Sequence, residues 1–370
     1  MLKLALLATA ALAGATGMAA AALGHDDDAP RLRGAFATVF DSPTGIEGLT
    51  ADRRGNLYTA ARGPAADAAC PVYKIPAGGG AAMTVGTIPP PCGPAGLTFG
   101  KDGRLYIGTS PQIVVLRPDE DVPPAATVFA TGVPGANGLA FDRRGTLWVS
   151  DGATSQGRVW RVSPAGAVEE AFRVQPTAND VIPGGIGRDN RGLPPGTITI
   201  TDTSRQASNT LGSQSIVANG LAFGSDGTLY IADTARGAIW RVRLDNRGNV
   251  LSPMGCDTTF APNTLCLDDV FVAHPFLEGV DGIVIDDDDT ILGAANERNA
   301  IVAVTRKGRA VEVFRDPVAA SLLRNEGPLE FPTSPVLTGR SLCVTSSDGA
   351  RRDNAPNTPG EGAKVSCARM

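Results

Sequence analysis

Short apolar alternations broken by Gly-containing turns run through most of this chain, and one phrase of this kind recurs. It stands as Ile46-Glu47-Gly48-Leu49-Thr50-Ala51-Asp52-Arg53-Arg54-Gly55-Asn56-Leu57-Tyr58, then as Ala95-Gly96-Leu97-Thr98-Phe99 followed by Asp102-Gly103-Arg104-Leu105-Tyr106. It returns at Asn137-Gly138-Leu139-Ala140-Phe141 with Gly145 and Leu147-Trp148. A fourth copy is Asn219-Gly220-Leu221-Ala222-Phe223 with Asp226-Gly227 and Leu229-Tyr230. A fifth begins Asp281-Gly282-Ile283, and a degenerate sixth runs Ser334-Pro335-Val336-Leu337, turns at Gly339 and continues Leu342-Cys343-Val344. An apolar alternation, a tight turn and a second alternation make a β-hairpin. Further alternations, such as Arg158-Val159-Trp160-Arg161-Val162, extend several hairpins to three or four strands, the content of a propeller blade. The predicted fold is all-β, a six-bladed β-propeller over residues 30–370.

The repeats are unevenly spaced. The wide gap between Gly138 and Gly220 contains a polar stretch, 175–214, read as a long loop or elongated hairpin on the third blade, since no copy of the phrase lies in it. Thr127-Val128-Phe129 and Val311-Glu312-Val313-Phe314 are short strands ahead of inner strands. The earliest such segment, Phe36-Ala37-Thr38-Val39-Phe40, has no inner strand before it. It is therefore expected to join the last blade, so that the two chain ends share one sheet and no edge stays open. Residues 350–362 are expected to be a loop between outer strands.

Composition sharpens this outline. With 45 Gly and 28 Pro the chain suits many turns better than long helices. Its 33 Lys and Arg against 38 Asp and Glu leave a net charge of -5, so it offers no basic surface for nucleic acid. Residues 1–22 open Met1-Leu2-Lys3 and continue as an Ala- and Leu-rich run that ends in small residues, the pattern of a secretory signal peptide. No later segment is long and apolar enough to span a membrane, so a secreted or periplasmic monomer is expected. Six cysteines support an oxidising compartment. Local pairing, Cys70 with Cys92, Cys256 with Cys266 and Cys343 with Cys367, is the geometric preference among the 15 possible connectivities.

The residue before each repeat glycine carries the candidate chemistry. Around the copies it reads Glu47, Ala95, Asn137, Asn219 and Asp281, with the Thr333/Ser334 region aligning poorly. In a propeller this position opens the innermost strand, so these side chains converge on the central channel. Asn-Gly and Asp-Gly are also ordinary turn dipeptides. Here, however, each repeat has a separate turn further on, and Glu is no turn former. Two carboxylates and two amides form a hard, all-oxygen donor set that suits Ca²⁺, or another hard divalent cation, and not Zn²⁺.

These repeats resemble the regucalcin/gluconolactonase (senescence-marker) superfamily, which includes diisopropylfluorophosphatase and the paraoxonases. The resemblance implies a six-bladed propeller with Ca²⁺ in its channel, held by a Glu from the first blade, Asn from the third and fourth and Asp from the fifth. Glu47, Asn137, Asn219 and Asp281 match that order. It further implies metal-assisted hydrolysis of a small-molecule lactone or ester, with Asp281 as candidate base toward water and Glu47 as the alternative. The chain departs from the family pattern in three places. Leu49-Thr50 follow Glu47-Gly48 where sugar-lactone hydrolases carry Pro and a Trp. Gly135 stands where they carry an Arg two residues before the Asn. The only histidines are His25 and His274, so a paraoxonase-type His dyad is absent, and His274 is expected at a strand end or surface. A phosphotriester substrate and a non-catalytic binding propeller with a structural calcium are the other readings.

Overall fold

The computed structural model describes residues 30, 32–176, 214, 216–255, 260–315, 327–347 and 362–370. The signal peptide, His25, Cys256, most of the 175–214 stretch and the loop proposed over 350–362, apart from Gly362, lie outside the described residues. Within them the chain forms six four-stranded antiparallel sheets, and no helix is long and apolar enough to cross a membrane.

Each sheet is one blade. The innermost strands are Thr50–Ala51, Leu97–Phe99, Ala136–Phe141, Leu221–Phe223, Val280–Ile285 and Pro332–Thr338. Next outward come Leu57–Ala60, Leu105–Gly108, Leu147–Asp151, Leu229–Asp233, Ile291–Ala295 and Ser341–Ser346. The segments read as short strands ahead of inner strands are the outermost strands of the second and fifth blades, Thr127–Thr131 and Ala310–Arg315. The expected closure is present. Strand Arg33–Asp41 pairs antiparallel with the C-terminal strand Lys364–Arg369, placing Ala37 opposite Cys367 and Asp41 opposite Lys364.

The second strands differ from a half-buried alternation. Leu57–Ala60, Leu147–Asp151 and Ile291–Ala295 are buried at every position. A blade packs against a neighbour on both faces, so alternate side chains leave one core only to enter the next. The core is accordingly distributed over six clusters, one at each junction between blades. Trp148 and Phe172 meet Leu221 and Trp240 between blades three and four, and Leu49 and Leu57 meet Cys343 and Val365 at the closure.

The repeated phrase now has a physical account. Its aromatic residue packs edge-on against the inner-strand Phe of the next blade: Tyr58 on Phe99 at 4.9 Å, Tyr106 on Phe141 at 5.1 Å, Trp148 on Phe223 at 6.2 Å. Its polar tip turns to the Asp of its own turn. Tyr58 donates to Asp52 Oδ2 at 3.1 Å, Tyr106 to Asp102 Oδ2 at 3.0 Å and Trp148 Nε1 to Asp142 Oδ2 at 3.3 Å. A buried amphipathic ring is stable when its apolar body and its polar end are both satisfied, and the Asp…Leu-Tyr/Trp spacing supplies both.

Two of the preferred disulfides are formed, Cys70–Cys92 and Cys343–Cys367. Cys266 is also disulfide-bonded. The second bridge joins directly opposed residues of adjacent strands in the closing blade. Such bonds persist in an oxidising compartment.

Candidate functional site

The repeat glycines form a closed ring around the axis. A Cβ on Gly48 would run into the carbonyl of Ala95, one on Gly96 into that of Asn137, and one on Gly138 into that of Asn219. The series continues from Gly220 to the Asp281 carbonyl, 2.5 Å from the Cβ position, and from Gly282 to that of Thr333. Backbone bonds tighten the contacts, with Gly96 N donating to Asn137 O at 3.1 Å and Gly220 N to Asp281 O at 2.9 Å. Hydroxyls join two further positions. Ser150 Oγ donates to Asn219 O, and Thr333 Oγ1 and Thr345 Oγ1 reach Glu47 O at 2.6 and 2.7 Å. Glycine is required because two backbones approach here with no room for a side chain. The ring also identifies Thr333 as the sixth equivalent position. Its hydroxyl is turned laterally to close the ring, which is why no Asn- or Asp-Gly marks it.

Inside the ring a cavity of about 70 Å³ is lined by Asn137, Asn219, Asp281 and Ser334, by repeat glycines, and by the apolar residue that follows the glycine in each of the first five blades. Three of the four predicted residues therefore line one space. Glu47 joins the ring through its carbonyl and is not among the residues lining the cavity. Asn219 is buried. Its Nδ2 donates to Thr234 Oγ1 at 3.1 Å, whereas its Oδ1 has no hydrogen-bond partner. Leaving a buried amide oxygen unsatisfied costs about 1–3 kcal/mol, so an oxygen-seeking group at this point would recover that loss. Asp281 is also buried and accepts from Asn296 Nδ2 at 3.0 Å. Asn137 lies against Gly152, where a Cβ would stand 2.6 Å from its Cγ. Amide and carboxylate oxygens of this kind fit a hard cation by donor type. Among the described residues, no group of three or more His, Cys, Asp or Glu side chains is placed to hold a metal. Any cation here would thus depend on the amides.

Sequence reasoning missed the polar residues that surround Asp281. Asn296, Glu297 and Gln214 are all buried, and Gln214 Nε2 donates to Asn296 Oδ1 at 2.8 Å and to Glu297 Oε1 at 3.2 Å. Nothing in the repeat phrase marks them. His274 stands where expected, directly after the strand Val270–Ala273. Its Nδ1 accepts from Phe276 N at 3.1 Å, a local cap, and its ring packs on Phe276. Gly135 has a positive φ of 78°, and a Cβ there would collide with Asp151 Oδ1. Asp151 is instead paired with Arg158 Nε at 2.8 Å. At Gly135, two residues before Asn137, a side chain would thus meet both an unfavourable φ and the Asp151 carboxylate.

The region described as "SMP-30/Gluconolactonase/LRE-like region" matches residues 185–348. No curated protein matches the chain in sequence. Among solved structures, the calcium-binding protein regucalcin from Agrobacterium tumefaciens is 18% identical over 90% of this chain and 93% of its own, with a TM-score of 0.58. A gluconolactonase from Xanthomonas campestris is 15% identical over 92% and 91%, with a TM-score of 0.55. The PQQ-bound aldose sugar dehydrogenase from Streptomyces coelicolor is 17% identical over 92% and 100%, also at 0.55. What such identities share is the fold, and the third structure carries a different chemistry on it. The match to that family model spans residues 185–348, and the described residues form a six-bladed propeller whose fold is that of the gluconolactonase and regucalcin structures.

Proposed function

We propose that this protein is a calcium-dependent hydrolase of lactones or related esters, exported to the periplasm or medium and acting as a monomer on a small molecule. The observation that carries the proposal is the buried, unpartnered Oδ1 of Asn219, a residue that lines one small cavity together with Asn137 and Asp281. In this reading Glu47, Asn137, Asn219 and Asp281 hold Ca²⁺ or another hard divalent cation. The bound ion supplies Lewis-acid polarisation of the substrate carbonyl. Thr234 orients the Asn219 amide by accepting from its Nδ2, which leaves Oδ1 directed away from that bond. Asn296 restrains the Asp281 carboxylate through Oδ2. Asp281 takes the proton from the attacking water, and Glu47 is the alternative base. The obstruction that a side chain would meet at Gly135 supports lactones or esters other than polar sugar lactones.

A second reading, a non-catalytic propeller that binds a ligand or protein and uses the cation as a staple, is favoured by the cavity's size. About 70 Å³ is far below the roughly 300–1,000 Å³ of a small-molecule pocket. Hydrolysis of a lactone and ester panel, with Ca²⁺ present, chelated and restored, separates the two. Turnover that vanishes on chelation and returns with Ca²⁺ is the result expected of the hydrolase. No turnover, with a melting temperature that still falls on chelation, selects the staple.

A further inference from the structure

An asparagine has a donor end and an acceptor end, and its neighbours decide which end faces a carboxylate. At Asn296 the choice is made by Gln214. Gln214 Nε2 donates to Asn296 Oδ1 at 2.8 Å, which turns Asn296 Nδ2 toward Asp281 Oδ2 at 3.0 Å. Gln214 is itself oriented, because its Nε2 also donates to Glu297 Oε1 at 3.2 Å. Each bond runs in one direction, and reversing either amide would set oxygen against oxygen. The chain is sealed from below by Gly279, whose φ is +72° and where a Cβ would stand 2.6 Å from Glu297 N and 2.7 Å from its Cγ. All four polar side chains are buried, so water does not readily substitute for a lost bond.

We propose that Gln214 and Asn296 are positioning residues for Asp281: the directed chain Glu297–Gln214–Asn296 fixes the plane of the Asp281 carboxylate and thereby sets the affinity of the channel for a divalent cation. This rests on the reading of Asp281 as a metal ligand. It adds that a residue 82 positions from Asn296 in sequence, on the segment entering the fourth blade, controls a carboxylate of the fifth. Outer hydrogen-bond partners of a ligand typically change metal affinity by about 10- to 100-fold when removed.

The test is calorimetric titration of the metal-free full-length protein with CaCl₂, with Tb³⁺ luminescence lifetime as a second readout. Gln214→Glu replaces the donor with an acceptor, so Asn296 must turn its Nδ2 away from Asp281. Affinity is expected to fall at least tenfold, and the Tb³⁺ lifetime to shorten as water enters the loosened coordination. Asn296→Leu is expected to do the same. The decisive variant is Gln214→Glu/Glu297→Gln. It restores a hydrogen bond between positions 214 and 297 and the local charge, but still presents an acceptor to Asn296. The metal-free melting temperature should recover while the affinity stays low. Recovery of both would reduce the residues to packing and overturn the inference, as would wild-type affinity in the single variants. A wild type that binds no Ca²⁺ would overturn the metal site itself, and the inference with it.

Discussion

Gly152 lies directly beneath the side chain of Asn137, so close that a Cβ would meet its Nδ2, Cβ and Cγ together. Gly152 follows the second strand of the third blade, and Asn137 opens the first. The contact therefore constrains where the Asn137 amide can sit. Gly152→Ala should displace that amide and weaken Ca²⁺ binding about tenfold. The stability loss should stay within the about 1–3 kcal/mol typical of an overpacked site. Gly93→Ala, where a Cβ meets nothing within 4 Å, is the control and should bind as wild type. Titration with CaCl₂ and a urea melt of both variants check this.

The glycine ring makes a sharper prediction about the fold. At Gly220 a methyl group would stand 2.5 Å from Asp281 O and 2.7 Å from both Gly282 Cα and Ile283 N. These are backbone atoms of the neighbouring blade and cannot rotate aside. Gly220→Ala should therefore push blades four and five apart and strain the bond from Gly220 N to Asp281 O. The expected cost is about 3 kcal/mol, the upper end for an inserted methyl group. A urea midpoint unchanged from wild type would refute the ring as a close backbone contact.

The ring was legible in the sequence because its cause is local and repeated. A glycine that must touch the next blade recurs at the same point of the phrase, and the residue before it is carried to the axis. The sixth copy was hard to align for an equally physical reason. At Thr333 the side chain closes the ring by bonding Glu47 O, so that copy needs no Asn or Asp. The burial of second strands on both faces has its counterpart in runs such as Ile291-Leu292-Gly293-Ala294-Ala295, which do not alternate apolar with polar. The Gln214–Asn296–Asp281 chain was invisible. Its members are joined only by the folding of two blades, and no periodicity marks a residue whose role is to turn another residue's amide.

The closing blade depends on a covalent bond as well as on strand pairing. Cys343 and Cys367 are 24 residues apart and lie directly opposite each other. Closing a loop of that length is worth about 3 kcal/mol through the unfolded chain. Cys343→Ser/Cys367→Ser should lower stability by about that amount. Because Lys364–Arg369 holds the N-terminal strand Arg33–Asp41, limited proteolysis should then release the N-terminal strand before any other. Cleavage elsewhere first would show that the ring is closed mainly by its core.

Acid should weaken the turns. Burial pushes the Asp142 carboxyl up, but bonds from Thr146 N, Trp148 Nε1 and Arg144 N outweigh it and leave its pKa below the ordinary value. Asp52 and Asp102 are lowered by the same opposition of burial and turn hydrogen bonds. A carboxyl whose pKa is lower in the folded protein than in the unfolded chain stabilises the fold above the unfolded value, about 3.9. That stability is lost as the pH falls through the folded value. Asp142→Asn should therefore be less stable than wild type at pH 7, and the gap should narrow below about pH 4. Urea midpoints across pH 7 to pH 3 follow it, and a gap independent of pH would assign the effect to shape alone.

Asp281 offers the most direct separation of fold from chemistry. Its side chain is buried, one oxygen is held by Asn296, and its carbonyl is the ring contact for Gly220. Asp281→Asn leaves the backbone contact intact and keeps an oxygen that can accept from Asn296 Nδ2. It removes one of the two negative charges proposed for the cation. With the backbone contact and the bond from Asn296 kept, the metal-free variant should melt close to the wild-type temperature. Added Ca²⁺ should raise that temperature much less than in wild type, because ligand stabilisation scales with the logarithm of concentration over Kd. Lactone or ester turnover should fall to background. Full turnover with an unchanged calcium-induced shift would remove Asp281 from both roles. Lost turnover with an unchanged shift would keep it as the base and pass the cation to the amides.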